Sequence, residues 1–569
     1  MRTIVENARI VISLLKSHNI KHVVLSPGGS NIPIVQGIQS DPFFKCYSVV
    51  DERSAMYVAI GIYLQTGEIV ATSCTSAQAT RNYVPGLTEA FYKHVPILAI
   101  TMSKHPRYLG QEYMQCPVQT SLPIDAVKKS YNLPIISNDN DRMLCVRTVN
   151  EAILELTHHS LGPVQLNIEA LDSETWVLDK EQVIEPVRVI KRYNKVSELN
   201  LSGKKILLLI GEHMPFSDRL KQSIDSFCEC YDVVVYTTHL SNYKGRYAVN
   251  GVRCLSGATD GYFNEFLKPD IIISIGGVTG DYTFFNRITR MSEKEIEVWR
   301  ISSDGNIIDT YGNLTTVYEM NDEDFFESSI GESSCSHQFY ASWEKSDSDL
   351  NGLDLPFSNI YAAQQLHSLI PESSNLNFAI LNSFRSWLYF DVHPSVKCFC
   401  NVGAFGIDGC MSTMLGQSFT TDQECFLITG DLAFYYDINS LAIRHIKSNV
   451  HILLVNNNGG AEFKLGKLQN EVDVSSYISA DNHFKNAEHW AIANGFEYLQ
   501  ASTKEDFLNL LDRFVSKNEK PVIFEIFTSS QDEKIALDKI FAESWKGTSS
   551  EEKERKIKSN LKNIINRFK

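Results

Sequence analysis

The chain has 569 residues, of which 43% are apolar and 21% charged, and its formal net charge at pH 7 is −15. Because a single hydrophobic core stops growing at roughly 250–300 residues, this length predicts about two to four domains. The acidic balance argues against a nucleic-acid partner, which needs clustered lysines and arginines. Twelve scattered cysteines without a zinc-binding pattern, and the lack of any apolar run of about 18 residues, predict a reduced, cytoplasmic protein that does not enter a membrane.

Short apolar strands alternate with helical patterns along almost the whole chain, which is typical of parallel α/β domains. Helical patterns cover residues 3–17 and 53–65, for example. The predicted strands fall into three blocks: 22–27, 69–74, 97–102 and 164–169; 204–211, 232–238, 270–277 and 297–302; 377–382, 424–431, 450–460 and 521–527.

Weakly patterned segments at about 172–201 and 327–355 separate these blocks. The order predicts an α/β fold with three doubly wound parallel-sheet domains. We place the domains at residues 1–180, 190–335 and 355–548, and a charged helix at 549–569.

Two polar groups end consecutive strands of the third block. Asp431 follows one predicted strand and Asn458 ends the next, 27 residues later, with a helix predicted at 437–447 between them. Because the carboxyl ends of parallel strands share one edge of the sheet, both side chains are expected at the edge where such sheets bind ligands. Carboxylate, amide and backbone carbonyl oxygens are the hard ligands that Mg²⁺ prefers. Either half of the pattern is common by itself, but together they indicate a metal site.

This pair resembles the diphosphate-binding motif of thiamine-diphosphate (ThDP) enzymes. Residues 430–443 (GDLAFYYDINSLAI), 455–460 (VNNNGG) and 401–409 (NVGAFGIDG) are most similar to 2-succinyl-5-enolpyruvyl-6-hydroxy-3-cyclohexene-1-carboxylate (SEPHCHC) synthase of menaquinone biosynthesis. The resemblance covers essentially the whole chain. It implies pyrimidine-binding, central and diphosphate-binding domains, ThDP and Mg²⁺ as cofactors, and a homodimer or homotetramer with active sites between subunits.

The resemblance also implies which residues hold the cofactor. Asp431, Asn458 and the Gly460 carbonyl would bind Mg²⁺, and Ile407 would be the apolar wedge that bends the cofactor. The other implied cofactor-binding residues are Pro27, Gln115, Asn382, Ser383, Gly403, Gly406, Leu432 and Ala433.

Glu52 is the implied catalytic residue. On the residues alone, the triplet Asp51-Glu52-Arg53 is typical of a helix start, because acidic residues favour the first turn. In ThDP enzymes, a glutamate hydrogen-bonded to the aminopyrimidine ring promotes the imino tautomer, which takes the thiazolium C2 proton. The ylid then attacks a 2-oxo acid, carbon dioxide leaves, and the carbanion goes to a proton or to a second carbonyl.

The substrate pocket is where the sequence departs from the synthase. SEPHCHC synthase handles 2-oxoglutarate and isochorismate, which carry four carboxylates together, and its pocket uses arginines that suit them. Three of those arginine positions hold Ser30, Trp387 and Val402 in this chain, which predicts a rebuilt pocket beside a retained cofactor site. The residues expected near substrate are Ser30, Asn31, Ser76, Gln78, Lys104, Arg385, Trp387 and Val402.

Three functions remain open. The preferred one is a ThDP- and Mg²⁺-dependent carbon–carbon lyase or carboligase that acts on a 2-oxo acid with fewer carboxylates, together with an unknown acceptor. The first alternative is a genuine SEPHCHC synthase with replacement arginines elsewhere. The second is a non-catalytic cofactor-binding or scaffold paralogue, which the intact Glu52, Asp431 and Asn458 argue against.

Overall fold

The computed structural model describes residues 2–197, 199–291, 295–331, 335–465, 473–474, 477–483 and 485–556. The chain divides into two compact units. Unit 1 comprises Met1–Asn194 and Asp304–Glu319, and unit 2 comprises Lys195–Ser303 and Met320–Lys569.

A six-stranded parallel sheet in the order β3-β2-β4-β5-β7-β6 forms the centre of unit 1, and β1 pairs antiparallel with β8. The strands are β1 (Arg2–Thr3), β2 (His22–Leu25), β3 (Lys45–Ser48), β4 (Val70–Cys74), β5 (Ile97–Lys104), β6 (Ser130–Leu133), β7 (Val164–Ala170), β8 (Leu178–Asp179) and β9 (Lys191–Tyr193). The helices are α1 (Glu6–Ser17), α2 (Ile32–Gln39), α3 (Glu52–Thr66), α4 (Gln78–Asn82), α5 (Val84–Tyr92), α6 (Asp139–Glu155) and α7 (Asp172–Thr175).

The strand order of this sheet reverses between β2 and β4. Loops at such a switch point form the crevice in which doubly wound sheets bind ligands. The two loops lie close together here, since a Cβ placed on Gly28 would lie 2.7 Å from the Thr75 Cβ. The loops therefore bring residues 26–31 and 75–78 to one place at the edge of the sheet.

Unit 2 contains two parallel sheets. The first has the order β12-β11-β10-β13-β14 and the second the order β17-β16-β18-β19-β21-β20. The strands of the first sheet are β10 (Ile206–Ile210), β11 (Val233–Thr237), β12 (Ala248–Asn250), β13 (Ile271–Ile275) and β14 (Glu297–Ile301). The next strand, β15 (Leu314–Tyr318), belongs to unit 1 and pairs in parallel with β9. The strands of the second sheet are β16 (Asn375–Phe378), β17 (Lys397–Cys400), β18 (Cys425–Gly430), β19 (Val450–Asn456), β20 (Glu497–Ala501) and β21 (Val522–Phe527).

Helices surround both sheets of unit 2. They are α8 (Asp218–Cys230), α9 (Gly251–Leu255), α10 (Asp260–Tyr262), α11 (Tyr282–Ile288), α12 (Asp322–Ser328), α13 (Gln338–Lys345), α14 (Asn359–Leu366), α15 (Asn382–Trp387), α16 (Cys410–Phe419), α17 (Asp431–Tyr436), α18 (Glu462–Leu465), α19 (Glu488–Ala493), α20 (Lys504–Val515) and α21 (Ser530–Glu543).

The predicted parallel α/β class is confirmed, and each strand of the three predicted blocks is present, with ends that shift by a few residues. Strands such as β18, β19 and β21 are buried along almost their whole length, as expected where helices cover both faces of a sheet. The domain boundaries 1–180, 190–335 and 355–548 stay a prediction, since the second and third sheets share one compact unit.

One predicted helix differs from the structure. In place of a helix at 437–447, α17 begins at Asp431 and ends at Tyr436, and a 3₁₀ turn follows at Ile438–Ala442. Asp437 follows the last residue of α17, and its carboxylate accepts hydrogen bonds from the backbone N and the Oγ of Ser412 in α16, both at 2.7 Å. These bonds hold Asp437 against α16, where the chain leaves the helix.

The charged C-terminal helix is described only in part. Residues 549–556 are helical, and residues 557–569 of the predicted helix lie outside the described residues. Among the residues that the structure describes, no helix is long and apolar enough to span a bilayer. All twelve cysteines are free thiols, and those placed in apolar strands are buried there.

Candidate cofactor site and active site

Asp431 joins the two halves of the predicted metal motif. It directly follows β18 and is only 2% exposed. Its Oδ1 accepts the Leu432 N–H at 2.7 Å, and its Oδ2 accepts the Gly459 N–H at 2.9 Å. The structure therefore brings the end of β18 and the segment after β19 together, as the consecutive-strand pattern predicts. Burial raises the pKa of Asp431, and the hydrogen bond to His483 acts against that effect.

Residues 456–460, here called the diphosphate loop, turn sharply after β19. Asn458 has φ 64°, and its N–H donates to Asn456 Oδ1 at 3.1 Å. Gly459 has φ 149°, and a Cβ there would lie 2.3 Å from Asp481 Oδ1, so only glycine fits. Among the residues that the structure describes, the Gly460 carbonyl accepts a long 3.3 Å bond from the Phe463 N–H, which leaves lone-pair capacity for a ligand.

These groups fit a divalent cation with a diphosphate. Asp431 offers a carboxylate, Asn458 an amide oxygen and Gly460 a carbonyl, which is a hard-oxygen set. A carboxylate as buried as Asp431 is stabilised by a nearby positive charge. In addition, the buried Oδ1 of Asn457 has no hydrogen-bond partner among the described residues, as expected for a loop that is completed by a ligand.

Asn382 and Ser383 begin α15, which follows β16 at the same edge of the sheet. A Cβ on Gly430 would lie 3.8 Å from Ser383 Oγ, so α15 begins directly beside the Asp431 segment. Gly403, Gly406 and Ile407 follow β17 at that edge, and Ile407 packs half-buried against both apolar cores of the sheet. Leu432 and Ala433 lie in the first turn of α17. The unit 2 residues of the predicted cofactor set thus converge on one sheet edge.

Glu52 is the first residue of α3, which confirms the predicted helix start. Asp51 caps this helix, with its side chain accepting the Arg53 N–H at 3.1 Å. Glu52 Oε2 accepts a hydrogen bond from Asn82 Nδ2 at 3.2 Å and is partly exposed in the single chain.

The other unit 1 residues predicted near cofactor or substrate differ in environment. Ser30 Oγ bonds to Thr75 Oγ1, and Ser76 is 3% exposed with an unpartnered Oγ among the residues described. Asn31 is fully buried and holds its loop, donating to the Ser26 carbonyl at 3.1 Å and accepting from Ser73. Lys104 forms an ion pair with Asp172 at 2.8 Å. The exposed residues of this set are Pro27, Gln78 and Gln115.

Of the predicted substrate residues in unit 2, Arg385 lines a cavity formed by described residues. It forms an ion pair with Glu462 and lies over the Tyr282 ring, with the guanidinium carbon 4.5 Å from the ring centroid. Trp387 is 0% exposed and Val402 2% exposed, and both pack in the apolar core of the second sheet. Core packing is their role in this structure, and a contact of either residue with substrate stays a prediction.

Two polar side chains that contact the diphosphate loop or Asp431 were not predicted from the sequence. His483 Nε2 lies 3.1 Å from Asp431 Oδ2, although 52 residues separate them in the chain. The buried Glu525 carboxylate accepts from Asn456 Nδ2 at 2.7 Å, from the Ala487 N–H and from the Tyr498 hydroxyl, both at 2.8 Å. His483 lies in a weakly patterned loop and Glu525 inside an apolar strand, so neither position carries a local signal.

Comparisons with known proteins agree with this geometry. Residues 6–122 match the family model "Thiamine pyrophosphate enzyme, N-terminal TPP binding domain". Together with the fold and the sheet-edge site, this match defines an enzyme of the ThDP class, which binds thiamine diphosphate with a divalent metal and acts on small molecules.

Full-length relatives narrow the class. The chain is 32% identical over 546 residues to the SEPHCHC synthase of Phocaeicola vulgatus, covering 92% of this chain and 96% of that protein. It is 31% identical over 547 residues to that of Bacteroides thetaiotaomicron (94% and 98%) and 26% identical over 553 residues to that of Flavobacterium johnsoniae (94% and 98%). The chain belongs to the SEPHCHC synthase family. The predicted family, enzyme class and ThDP cofactor are therefore confirmed.

Proposed function

We propose that this protein is a ThDP- and Mg²⁺-dependent lyase or carboligase that decarboxylates a 2-oxo acid and transfers the acyl carbanion to a proton or to an acceptor carbonyl or alkene. The observation that carries the proposal is the contact between Asp431 and the diphosphate loop at the carboxyl edge of the second unit 2 sheet. ThDP supplies the electron sink that stabilises a carbanion next to a carbonyl.

The protein's own groups have separate roles in this proposal. Asp431, Asn458 and the Gly460 carbonyl bind the metal, and His483 orients the Asp431 carboxylate through their 3.1 Å contact. Ile407 supports the cofactor through apolar packing. Glu52 would hold a proton at the aminopyrimidine ring of the bound cofactor.

The active site is proposed to form in a homodimer or homotetramer, where Glu52 of one subunit faces the diphosphate loop of another. Unit 1 supports this assembly through apolar side chains exposed on α3 and just before it. Val50 is 76% exposed, Leu64 62% and Tyr57 47%, which is an apolar surface that an interface would cover.

The proposed donor is a 2-oxo acid with fewer carboxylates than the substrate pair of the named relatives. Ser30 is bonded to Thr75, and Trp387 and Val402 lie in or against the core, so none of these positions offers a cation. The charge of Arg385 is balanced by Glu462. A second carboxylate would therefore lose bidentate pairing worth roughly 2–5 kcal/mol per lost partner.

The second candidate function is SEPHCHC synthesis itself. The 32% identity over nearly the full length of the Phocaeicola vulgatus protein, which carries that name, favours it. Formation of the SEPHCHC product from isochorismate and 2-oxoglutarate, followed by mass spectrometry, separates the two functions.

The test of the cofactor proposal is calorimetric titration of the full-length apoprotein with ThDP, with and without Mg²⁺. Saturable, Mg²⁺-dependent binding is expected for the wild type, and its loss is expected for Asp431→Ala. Asp422→Ala is the matched control, because the Asp422 side chain is fully exposed and its ion-pair partner among the described residues is the surface residue Lys447. Absence of binding by a folded wild-type protein would refute the proposal and favour a scaffold role.

A further inference from the structure

Unit 2 contains a cavity of about 170 Å³ beside α15 and α21, here called the side-chain cavity. Apolar side chains form most of its wall, among them Val252, Ile360, Leu388 and Leu537. An apolar cavity of about 150 Å³ holds a benzene-sized molecule, so this cavity accommodates a group of about six heavy atoms.

One buried carboxyl of the wall has spare acceptor capacity. Glu533 is 1% exposed, and its Oε1 accepts the Asn359 N–H at 2.7 Å and the Thr528 hydroxyl at 3.1 Å. Its buried Oε2 completes no hydrogen bond of ordinary geometry within the described residues, and the Asn382 side chain interacts with the same carboxyl. Burial raises the pKa of Glu533 to about 7, against the opposing effect of these polar neighbours. Since a carboxylate oxygen accepts up to two hydrogen bonds, Oε2 can take a further donor from a ligand.

Arg385, which lines the same cavity, has a buried donor that lacks an acceptor among the described residues. Its Nη1 pairs with Glu462, whereas its Nε is buried and has no acceptor among the described residues. Asp281, also in the wall, is already satisfied, because it accepts the Tyr236 hydroxyl and the Thr283 N–H. The wall of the cavity thus includes an acceptor at Glu533 and a donor at Arg385.

The charges of the wall disfavour an anion. Arg385 is the one cation among the described residues of the wall, and it is balanced by Glu462 and lies near the buried Asp281. A carboxylate that entered would also face Glu533. A hydroxyl group is uncharged and both donates and accepts, so it can donate to Glu533 or accept from Arg385.

The side-chain cavity adjoins the cofactor site. Asn382 lies in its wall, and the next residue, Ser383, faces Gly430 immediately before the metal ligand Asp431. A substrate that reacts at this sheet edge can extend its side chain along α15 into the cavity.

We propose, on the basis of the function proposed above, that this cavity binds the side chain of the donor substrate and that Glu533 selects an aliphatic 2-oxo acid that ends in a hydroxyl group. Glu533 acts as a specificity residue in this assignment and not as a catalytic one.

The test uses three 2-oxo acids that differ in one terminal group. These are 4-hydroxy-2-oxobutanoate (hydroxyl), 2-oxopentanoate (methyl) and 2-oxoglutarate (carboxylate). Carbon dioxide release gives kcat/KM for each, and calorimetry with the holoenzyme of Glu52→Gln gives dissociation constants without turnover. At about pH 8, above the pKa of about 7 at which Glu533 ionises, the hydroxyl substrate is expected to exceed the methyl substrate by about tenfold and the carboxylate substrate by about 100-fold, as for hydrogen bonds to charged groups.

Glu533→Gln keeps the oxygen that Asn359 and Thr528 need, and it turns an amide N–H₂ toward the cavity. Its kcat/KM for 2-oxoglutarate relative to the hydroxyl substrate is expected to rise at least about tenfold. Glu543→Gln, the same exchange at an exposed site on α21, is the control and is expected to change no ratio. Leu537→Phe fills the cavity, so it is expected to weaken all three substrates but not the shorter pyruvate.

Ratios that stay within twofold of wild type in both Glu533→Gln and Leu537→Phe would overturn this inference and leave the proposed function intact. Should Glu533→Gln fail to fold, Leu537→Phe alone decides between the outcomes. Absence of carbon dioxide release from every 2-oxo acid by folded, ThDP-loaded wild-type protein would refute the proposed function and this inference together.

Discussion

Gly459→Ala perturbs the metal site without removing a ligand atom. The new Cβ would lie 2.3 Å from Asp481 Oδ1 and 3.0 Å from the Ser479 carbonyl oxygen, so the diphosphate loop must shift. The φ of 149° is also essentially restricted to glycine, and a residue held in such a region costs about 1–3 kcal/mol. Because about 1.4 kcal/mol changes a dissociation constant tenfold, the Mg²⁺-dependent affinity for ThDP is expected to fall roughly 10- to 100-fold.

The assay is calorimetric ThDP titration at saturating Mg²⁺, with urea unfolding as a separate measure of stability. Gly416→Ala is the matched control, since Gly416 lies in α16 and no atom lies within 4 Å of its added Cβ. This control is expected to bind ThDP normally and to gain about 0.5–1 kcal/mol in free energy of unfolding. If Gly459→Ala bound ThDP within twofold of wild type, the conformation of the loop would not be what forms the metal site.

Three further predictions concern stability. Burial lowers the pKa of His239 from 6.5 to about 4. As the pH drops from 6.5 to 4, the unfolded chain takes up this proton before the folded chain does, so the free energy of unfolding falls by up to about 3 kcal/mol. In His239→Gln the melting temperature should therefore depend less on pH over that range. Burial raises the pKa of Glu533 from 4.5 to about 7, so the folded protein loses stability as the pH rises from 4.5 to 7. Glu533→Gln removes this ionisation, so it should increase the melting temperature more at pH 8.5 than at pH 5. Trp387→Arg introduces the arginine that the family resemblance implies at this position, and it should cost at least about 3 kcal/mol in urea unfolding, because the site is 0% exposed. A loss below about 1 kcal/mol would show that the core can admit the charge.

The sequence by itself determined the sheets and the positions of the motif residues. Alternation of apolar strands with helical patterns is a local signal, since a strand buried on both faces needs a continuous apolar run, and β18, β19 and β21 match it. The same logic placed Asp431 and Asn458 at one edge, because consecutive parallel strands end on the same side. Asp51 and Glu52 likewise start a helix for local electrostatic reasons.

The tertiary structure alone decided what each polar group contacts. The distance from His483 to Asp431 depends on how a loop returns across the sheet, and no periodicity encodes it. Trp387 packs in the core, whereas Arg385, two residues earlier in the same helix, lines a cavity. Residues two apart on a helix point in different directions, so only the packing around the helix decides what each one contacts. The Glu533 carboxyl lines an apolar cavity only because α21 packs beside it, and packing between distant segments is the information that a linear pattern lacks.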